Sequence, residues 1–224
     1  LVQLQLEILS HHLSNIEILV SDNASPDSTQ QVVAELQDSR FNIRYLLNTD
    51  NIGSDANIAQ CFNEAKGHYV LILGDDDLFY DGSLKWLMTL LEHDEYGIIC
   101  MRAYGFDHDF RREYPDIFGR DLSFNDPGEF LVAIGHSVTL ISGCVINKRC
   151  LHGVDAKEFC GSNLVQVNLV LQAAMTLKNN LYSGRYHIAC KRNNSGGYDY
   201  VEVFVERLGG ILDSYQRLGL SHQS

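Results

Sequence analysis

Apolar positions along the chain switch repeatedly between a helical and an extended spacing. Residues 1–14, LVQLQLEILSHHLS, are apolar at 1, 2, 4, 6, 8, 9 and 13, which predicts a helix packed on a larger body. IEILVSD (16–22) is a short apolar run ending in an acid, the pattern of a parallel strand. Asp27-Ser28-Thr29 then opens QQVVAELQDSR, apolar at 32, 33 and 36, a helix capped by Ser25 or Asp27. FNIRYLLN (41–48) predicts a strand, GSDANIAQCFNEAKG (53–67) a helix stopped by Gly67, and HYVLILGDDD (68–77) another strand. SLKWLMTLLEHD (83–94) reads as a helix and YGIICMRAYGF (96–106) as a strand. Such alternation predicts a doubly wound α/β fold, a mostly parallel sheet flanked by helices.

Beyond residue 108 the pattern loosens into a long connection, with a short helix beginning near Pro127. VTLISGCVINK (138–148) predicts a strand, NLVQVNLVLQAAMTLKN (163–179) a helix, and NLYSGRYHIACKRNN (180–194) the last strand. The C-terminal segment VEVFVERLGGILDSYQRLG is an amphipathic helix interrupted by Gly209-Gly210, and Val203, Phe204, Leu208, Ile211 and Leu212 are expected to pack on the core. We expect residues 1–106 to form a nucleotide-sugar-binding α/β part. Residues 107–224 then form the acceptor-side part and C-terminal helices of the same domain.

The chain's 224 residues, 45% hydrophobic, suffice for one sizeable core. A formal net charge of −12 argues against a nucleic-acid surface and allows a phosphate-bearing ligand only where a metal ion supplies positive charge. No basic-then-apolar leader and no spanning apolar run is visible. Cys61, Cys100, Cys144, Cys150, Cys160 and Cys190 form no CxxC pair and read as buried, reduced thiols of a cytoplasmic protein. His11 and His12, like the other histidines, lack metal-ligand spacing.

The chemistry concentrates at predicted strand ends, where ligands bind in open α/β sheets. In LILGDDDLFYDG (71–82), Asp75, Asp76 and Asp77 terminate an apolar run. Adjacent carboxylates repel, so a positive partner is required, and oxygen ligands at this spacing suit Mg2+ or Mn2+ shared with substrate phosphates. A second cluster, VSDNASPDST (20–29), is partly an Asx turn and helix cap. It also places Asp22 and Asn23 where they can face a ligand's hydrogen-bonding edge.

Taken in order, EILVSDNASPDST, NTDNIGSDAN and AKGHYVLILGDDD resemble the motifs of the family 2 glycosyltransferases of the GT-A fold. ISGCVINK and KRNNSGGYDYVEVF look most like the bacterial O-antigen and capsule branch, the abequosyltransferase-like proteins. The resemblance implies that Asp22 and Asn23, with Ser25, meet the nucleotide base. Asn57, Asp75, Asp76 and Arg192 would complete the nucleotide-sugar site, with Asp76 on the ribose or sugar and Asp77 on Mn2+ or Mg2+. It implies a UDP-, GDP-, TDP- or CDP-linked donor and transfer with inversion to a surface polysaccharide or lipid-linked glycan precursor. The expected location is the cytoplasm, with peripheral contact at the membrane's inner face left open.

The sequence departs from the family at several points. The opening strand and PxYN segment have no counterpart, so we expect them upstream of Leu1 rather than naturally lost. Gly74 stands where many members have the first aspartate, and Asp55-Ala56-Asn57 keeps the asparagine of the ARN motif without its arginine. The acidic pair that usually supplies the base is replaced by GSNLVQVN, leaving Asp155 and Glu158 as the candidates. KRNNSGGY (191–198) is expected either to close over the donor, with Arg192 near the diphosphate, or to form a surface turn. His136 and Ser142-Gly143 face the acceptor by analogy. A degenerate, non-catalytic nucleotide-sugar- or partner-binding domain is the alternative. A sugar-nucleotide pyrophosphorylase is disfavoured by the lack of a glycine-rich basic loop.

Overall fold

The computed structural model describes residues 2–11, 15–37, 43–193 and 199–220. Helix α1 (Val2–Ser10) leads into strand β1 (Ile18–Asp22), helix α2 (Thr29–Gln37), strand β2 (Ile43–Leu47) and helix α3 (Ser54–Glu64). Strands β3 (Tyr69–Leu71) and β4 (Leu78–Phe79), helix α4 (Ser83–His93) and strand β5 (Ile98–Phe106) follow. The second half holds β6 (Leu122–Phe124), α5 (Pro127–Ile134), β7 (Cys144–Asn147), α6 (Val165–Thr176) and β8 (Asn180–Lys191). A π-helical segment (Glu202–Arg207) then runs into α7 (Leu208–Arg217).

The α/β architecture expected from the sequence is present, but its pairing is mixed rather than mostly parallel. β1 and β2 run parallel, as do β5 and β8. The β3–β7, β5–β7, β4–β8 and β6–β8 ladders are antiparallel. The larger sheet is ordered β3-β7-β5-β8-β4, with β6 paired to β8. An apolar run reports that both faces of a strand are covered, not which way the strand points. In β5, Ile98 and Cys100 enter the core beneath α5 and α6, whereas Ile99 and Met101 enter the opposite core with Leu84 and Leu87 of α4. β7 divides likewise, with Cys144 and Ile146 on one side and Val145 on the other.

Several boundaries differ from expectation. The strand expected over 68–77 stops at Leu71, because the three aspartates lie in a turn. The strand expected over 138–148 is reduced to β7, preceded by 3-10 turns at Gly135–Thr139 and Ile141–Gly143. β6 occupies the stretch read as a connection. The helix near Pro127 forms, with the Asp126 carboxylate accepting from the Glu129 N–H at 2.9 Å. Gly209-Gly210 does not interrupt the last helix. The irregularity precedes it, where the π register sets Glu202 beside Arg207 at 2.5 Å. Val203 is buried there, and Phe204, Leu208, Ile211 and Leu212 pack against the core as expected. All six cysteines are free; Cys100 and Cys144 are buried as expected, but Cys61, Cys150 and Cys190 are half-buried and Cys160 is exposed. Among the described residues no helix is long and apolar enough to cross a membrane.

Candidate active site

After β3 the chain turns tightly at Gly74–Asp77, closed by the Asp77 N–H donating to the Gly74 carbonyl at 3.3 Å. β4 then pulls Leu78 and Phe79 into the sheet beside β8. This grades the aspartates: Asp75 is exposed, Asp76 half-buried and Asp77 only 9% exposed. Burial pushes the Asp77 carboxyl above its ordinary range, opposed by hydrogen bonds from the Ser142 hydroxyl and Cys190 thiol and reinforced by the charges of Asp76 and Asp75. The same surroundings push the Cys190 thiol up, through burial and then the Asp77 charge and hydrogen bond.

Gly74 is the floor of this cluster. A Cβ there would lie 3.0 Å from Asp76 Oδ1, 3.2 Å from Asp77 Oδ2 and 3.5 Å from Ser142 Oγ, so three oxygens surround a bare Cα. Ser142 Oγ also accepts from the Gly74 N–H at 2.9 Å. Two carboxylates and a hydroxyl are hard oxygen donors of the kind Mg2+ and Mn2+ select. Among the described residues no three His, Cys, Asp or Glu side chains form a metal cage. The residues present therefore fit an open site shared with water or phosphate oxygens, not a closed structural one.

At the end of β1, Asp22 is 4% exposed. Its Oδ2 accepts from the Tyr45 hydroxyl at 2.5 Å and its Oδ1 from the Ser25 N–H at 2.8 Å. These bonds, Tyr45 foremost, hold the carboxyl below its usual range despite burial; burial first, and then the Asp22 hydrogen bond and charge, push the Tyr45 hydroxyl up to about 12. Ser25 thus serves Asp22 through its backbone, while Asp27 caps α2 by accepting from the Thr29 N–H at 2.9 Å. Between them Ala24 is left-handed, with φ of 59°. Asn23 secures the loop before α3: Oδ1 accepts from the Ile52 N–H and Asn48, and Nδ2 donates to Asn51. Asn57 accepts from the Ser21 hydroxyl at 2.7 Å and from Asn48 at 3.2 Å. Asn23 and Asn57 meet through Asn48, whose N–H also donates to the Asp22 carbonyl at 2.9 Å, so all three lie together at one strand end.

Asp55, where the family's motif has arginine nearby, points away from that network. Its Oδ2 accepts from the Gly161 and Asn163 N–H groups at 2.6 and 2.9 Å, tying α3 to the loop before α6. Arg207 grips the same loop from the other side, donating to the Gly161 carbonyl and Asn163 Oδ1, each at 2.9 Å.

Arg192 lies along β8 over Gly105, whose Cβ would come within 2.7 Å of its Nε. Its guanidinium pairs with Asp107 at 2.8 Å and Glu113 at 3.7 Å. Glu113 itself accepts from three backbone N–H groups, at Asp109, His108 and Asp107, which hold it at about 2. Residues 194–198 of the expected closing segment lie outside the described residues. Asp155 caps the 3-10 turn Ala156–Phe159 by accepting from the Lys157 N–H at 3.0 Å, and it also accepts from Asn63 at 2.6 Å. Both bonds hold its carboxyl low. Glu158 is exposed on the same turn, and His136 is exposed on the 3-10 turn at Gly135–Thr139.

Sequence reasoning missed Tyr45 and Cys190 as partners of the acidic groups, and gave Ser142 to the acceptor. Only pairing register could have found them. Leu71 opposite Val145 brings Ser142 over Gly74, and Leu78 opposite Ala189 brings Cys190 beside Asp77.

The family model described as glycosyl transferase family 2 matches residues 3–151. The abequosyltransferase RfbV of Salmonella typhimurium is 36% identical over 89 residues, 39% of this chain and 27% of that protein. A GalNAc(5)-diNAcBac-PP-undecaprenol beta-1,3-glucosyltransferase of Campylobacter jejuni is 37% identical over 82 residues, 36% of this chain and 26% of its own. The alignments thus span about a quarter of each relative's length. S. aureus TarS 1–349 in complex with UDP-GlcNAc superposes with a TM-score of 0.71 at 14% identity, over 93% of this chain and 59% of that one. The mannosyltransferase PcManGT of Pyrobaculum calidifontis, with GDP-Man and Mn2+, gives 0.60 at 12% identity, over 96% and 59%. These two likenesses establish the GT-A glycosyltransferase fold. With the family match covering most of its length, the chain belongs to glycosyl transferase family 2.

Proposed function

We propose that this chain carries the donor site of a metal-dependent inverting glycosyltransferase. It moves a sugar from a nucleotide-sugar donor to a surface polysaccharide or lipid-linked glycan precursor. The observation that carries the reading is the convergence of Asp76, Asp77 and Ser142 oxygens over the bare Cα of Gly74. Asp76 and Asp77 would hold Mn2+ or Mg2+, which when bound supplies Lewis-acid stabilisation to the departing diphosphate. Asn23, held by the 48–53 loop, and the exposed Ser25 present the rim of the base pocket, with Asp22, fixed by Tyr45, and Asn57 behind them. Asp75 borders the sugar. Arg192 exchanges part of its pairing with Asp107 for the diphosphate. Of the two candidate bases, Asp155 is occupied as a turn cap. The exposed Glu158 is then the remaining candidate to take the acceptor hydroxyl's proton.

Relatives of this chain bear the names of an abequosyltransferase and of a glucosyltransferase acting on an undecaprenol-linked glycan, which supports the acceptor class, and a neighbour in complex with UDP-GlcNAc supports the donor class. The neighbour holding GDP-Man and Mn2+ supports the metal. Residues 1–106 carry most of the donor side, completed by Ser142 and Arg192, and the rest of 107–224 forms the acceptor side.

Ligand-observed NMR with UDP-, GDP-, TDP- and CDP-sugars, followed by nucleotide release on adding lipid-linked glycans, tests the proposal. Binding of one donor class with release supports it, and no binding of any donor overturns it. Binding without release favours the non-catalytic reading, to which the capping role of Asp155 already lends weight.

A further inference from the structure

Ser142 lies 68 residues beyond Gly74 and is fully buried. It is carried on the 3-10 turn Ile141–Gly143 that enters β7, and β7 runs antiparallel to β3, so the turn folds back over the end of β3. Its hydroxyl is used twice, accepting from the Gly74 N–H and donating to the Asp77 carboxylate. The Cys190 thiol reaches the same carboxylate from β8. Asp77 is therefore held between a donor on the turn entering β7 and one on β8.

We propose that Ser142 is a positioning residue that fixes the Asp77 carboxylate and the turn backbone together over Gly74. It anchors the acidic turn in the space a side chain at position 74 would otherwise occupy. The physical need is plain. Asp75, Asp76 and Asp77 repel one another, and without an external donor Asp77 would rotate away from Asp76 rather than converge with it. A buried hydroxyl, shielded from competing water, supplies a directional bond to a charged acceptor. Cys190 alone is a weaker donor. This inference rests on the cation-holding role proposed for Asp77.

The test is electron paramagnetic resonance titration of Mn2+ into the full chain, alone and with UDP or GDP. It is run on the wild type, Asp77→Ala, Ser142→Ala and the isosteric Ser142→Cys, with metal-free nucleotide affinity measured by calorimetry alongside. Loss of one hydrogen bond to a charged group predicts about tenfold weaker Mn2+ binding in Ser142→Ala. A smaller loss is expected in Ser142→Cys, and metal-free nucleotide affinity should stay within about twofold in both. Ser142→Cys carries the test if Ser142→Ala does not fold. Mn2+ affinity unchanged in a folded Ser142 variant, with melting temperature alone lowered, overturns the positioning role and leaves the proposed function standing. Wild-type protein that takes up no Mn2+ under any of these conditions overturns both.

Discussion

Single residues set the site's geometry by spending hydrogen bonds on carboxylates. Tyr45→Phe removes the strongest support of Asp22, and NMR titration should show the Asp22 pKa rising. A carboxyl whose folded pKa is depressed stabilises the fold above its unfolded pKa of 3.8 and loses that contribution as pH falls through the folded value. Tyr45→Phe should therefore lower neutral-pH stability and make acid loss below that pH shallower. Ala24, at a φ of 59°, bears a left-handed strain that glycine would not. Ala24→Gly should raise stability by about 1 kcal/mol in urea unfolding, and a loss of that size would contradict the strain. At this scale the sequence was half informative. Asp22, Asn23, Asp76 and Asp77 were visible because they break apolar runs. Tyr45, Ser142 and Cys190 were not, because each is an ordinary core-compatible residue until register brings it against an acid.

At the scale of elements, polar links join helices and loops that the sequence showed only as separate pieces. Lys148, just past β7, donates from Nζ to the carbonyls of Phe62 and Asn63 at 2.8 Å and of Ala65 at 2.5 Å, closing the C-terminal end of α3. Lys148→Met should cost about 2 kcal/mol, measured by denaturant midpoint, because three carbonyls lose a charged donor. Asp55 and Arg207 hold the Gly161–Asn163 loop from two sides. Asp55→Ala should destabilise by about 1–3 kcal/mol and raise amide exchange at Gly161 and Asn163. Helices were legible because α4 and α6 keep strong apolar patterns. β4 and β6, two and three residues long, were not, since strands that short have no period to read. The antiparallel entry of β7 was likewise hidden, because Cys144, Val145 and Ile146 would be buried in either direction.

For the molecule as a whole, stability and function separate along pH and ligand axes. His187 is buried, stacks on Trp86 at 3.9 Å and lies 3.0 Å from the Ser83 hydroxyl through Nδ1. Burial lowers its pKa to about 4. The unfolded chain therefore binds the extra proton between about pH 4 and 6.5, and stability rises with pH across that window, by at most about 3 kcal/mol. His187→Phe, which keeps a ring against Trp86, should flatten the change in urea midpoint between pH 4.5 and 7, and an unchanged slope would contradict the assignment. The acidic balance of the chain, visible from composition, makes one site stand out: a turn of three aspartates needs positive charge the protein does not itself supply in excess. The most direct measurement is calorimetric titration of UDP, GDP and TDP, with and without Mn2+, against the wild type and Asp77→Ala. One nucleotide should bind in a Mn2+-dependent manner, and Asp77→Ala should abolish that dependence. Nucleotide binding indifferent both to Mn2+ and to Asp77 would contradict the assignment of the acidic turn as the cation-held donor site.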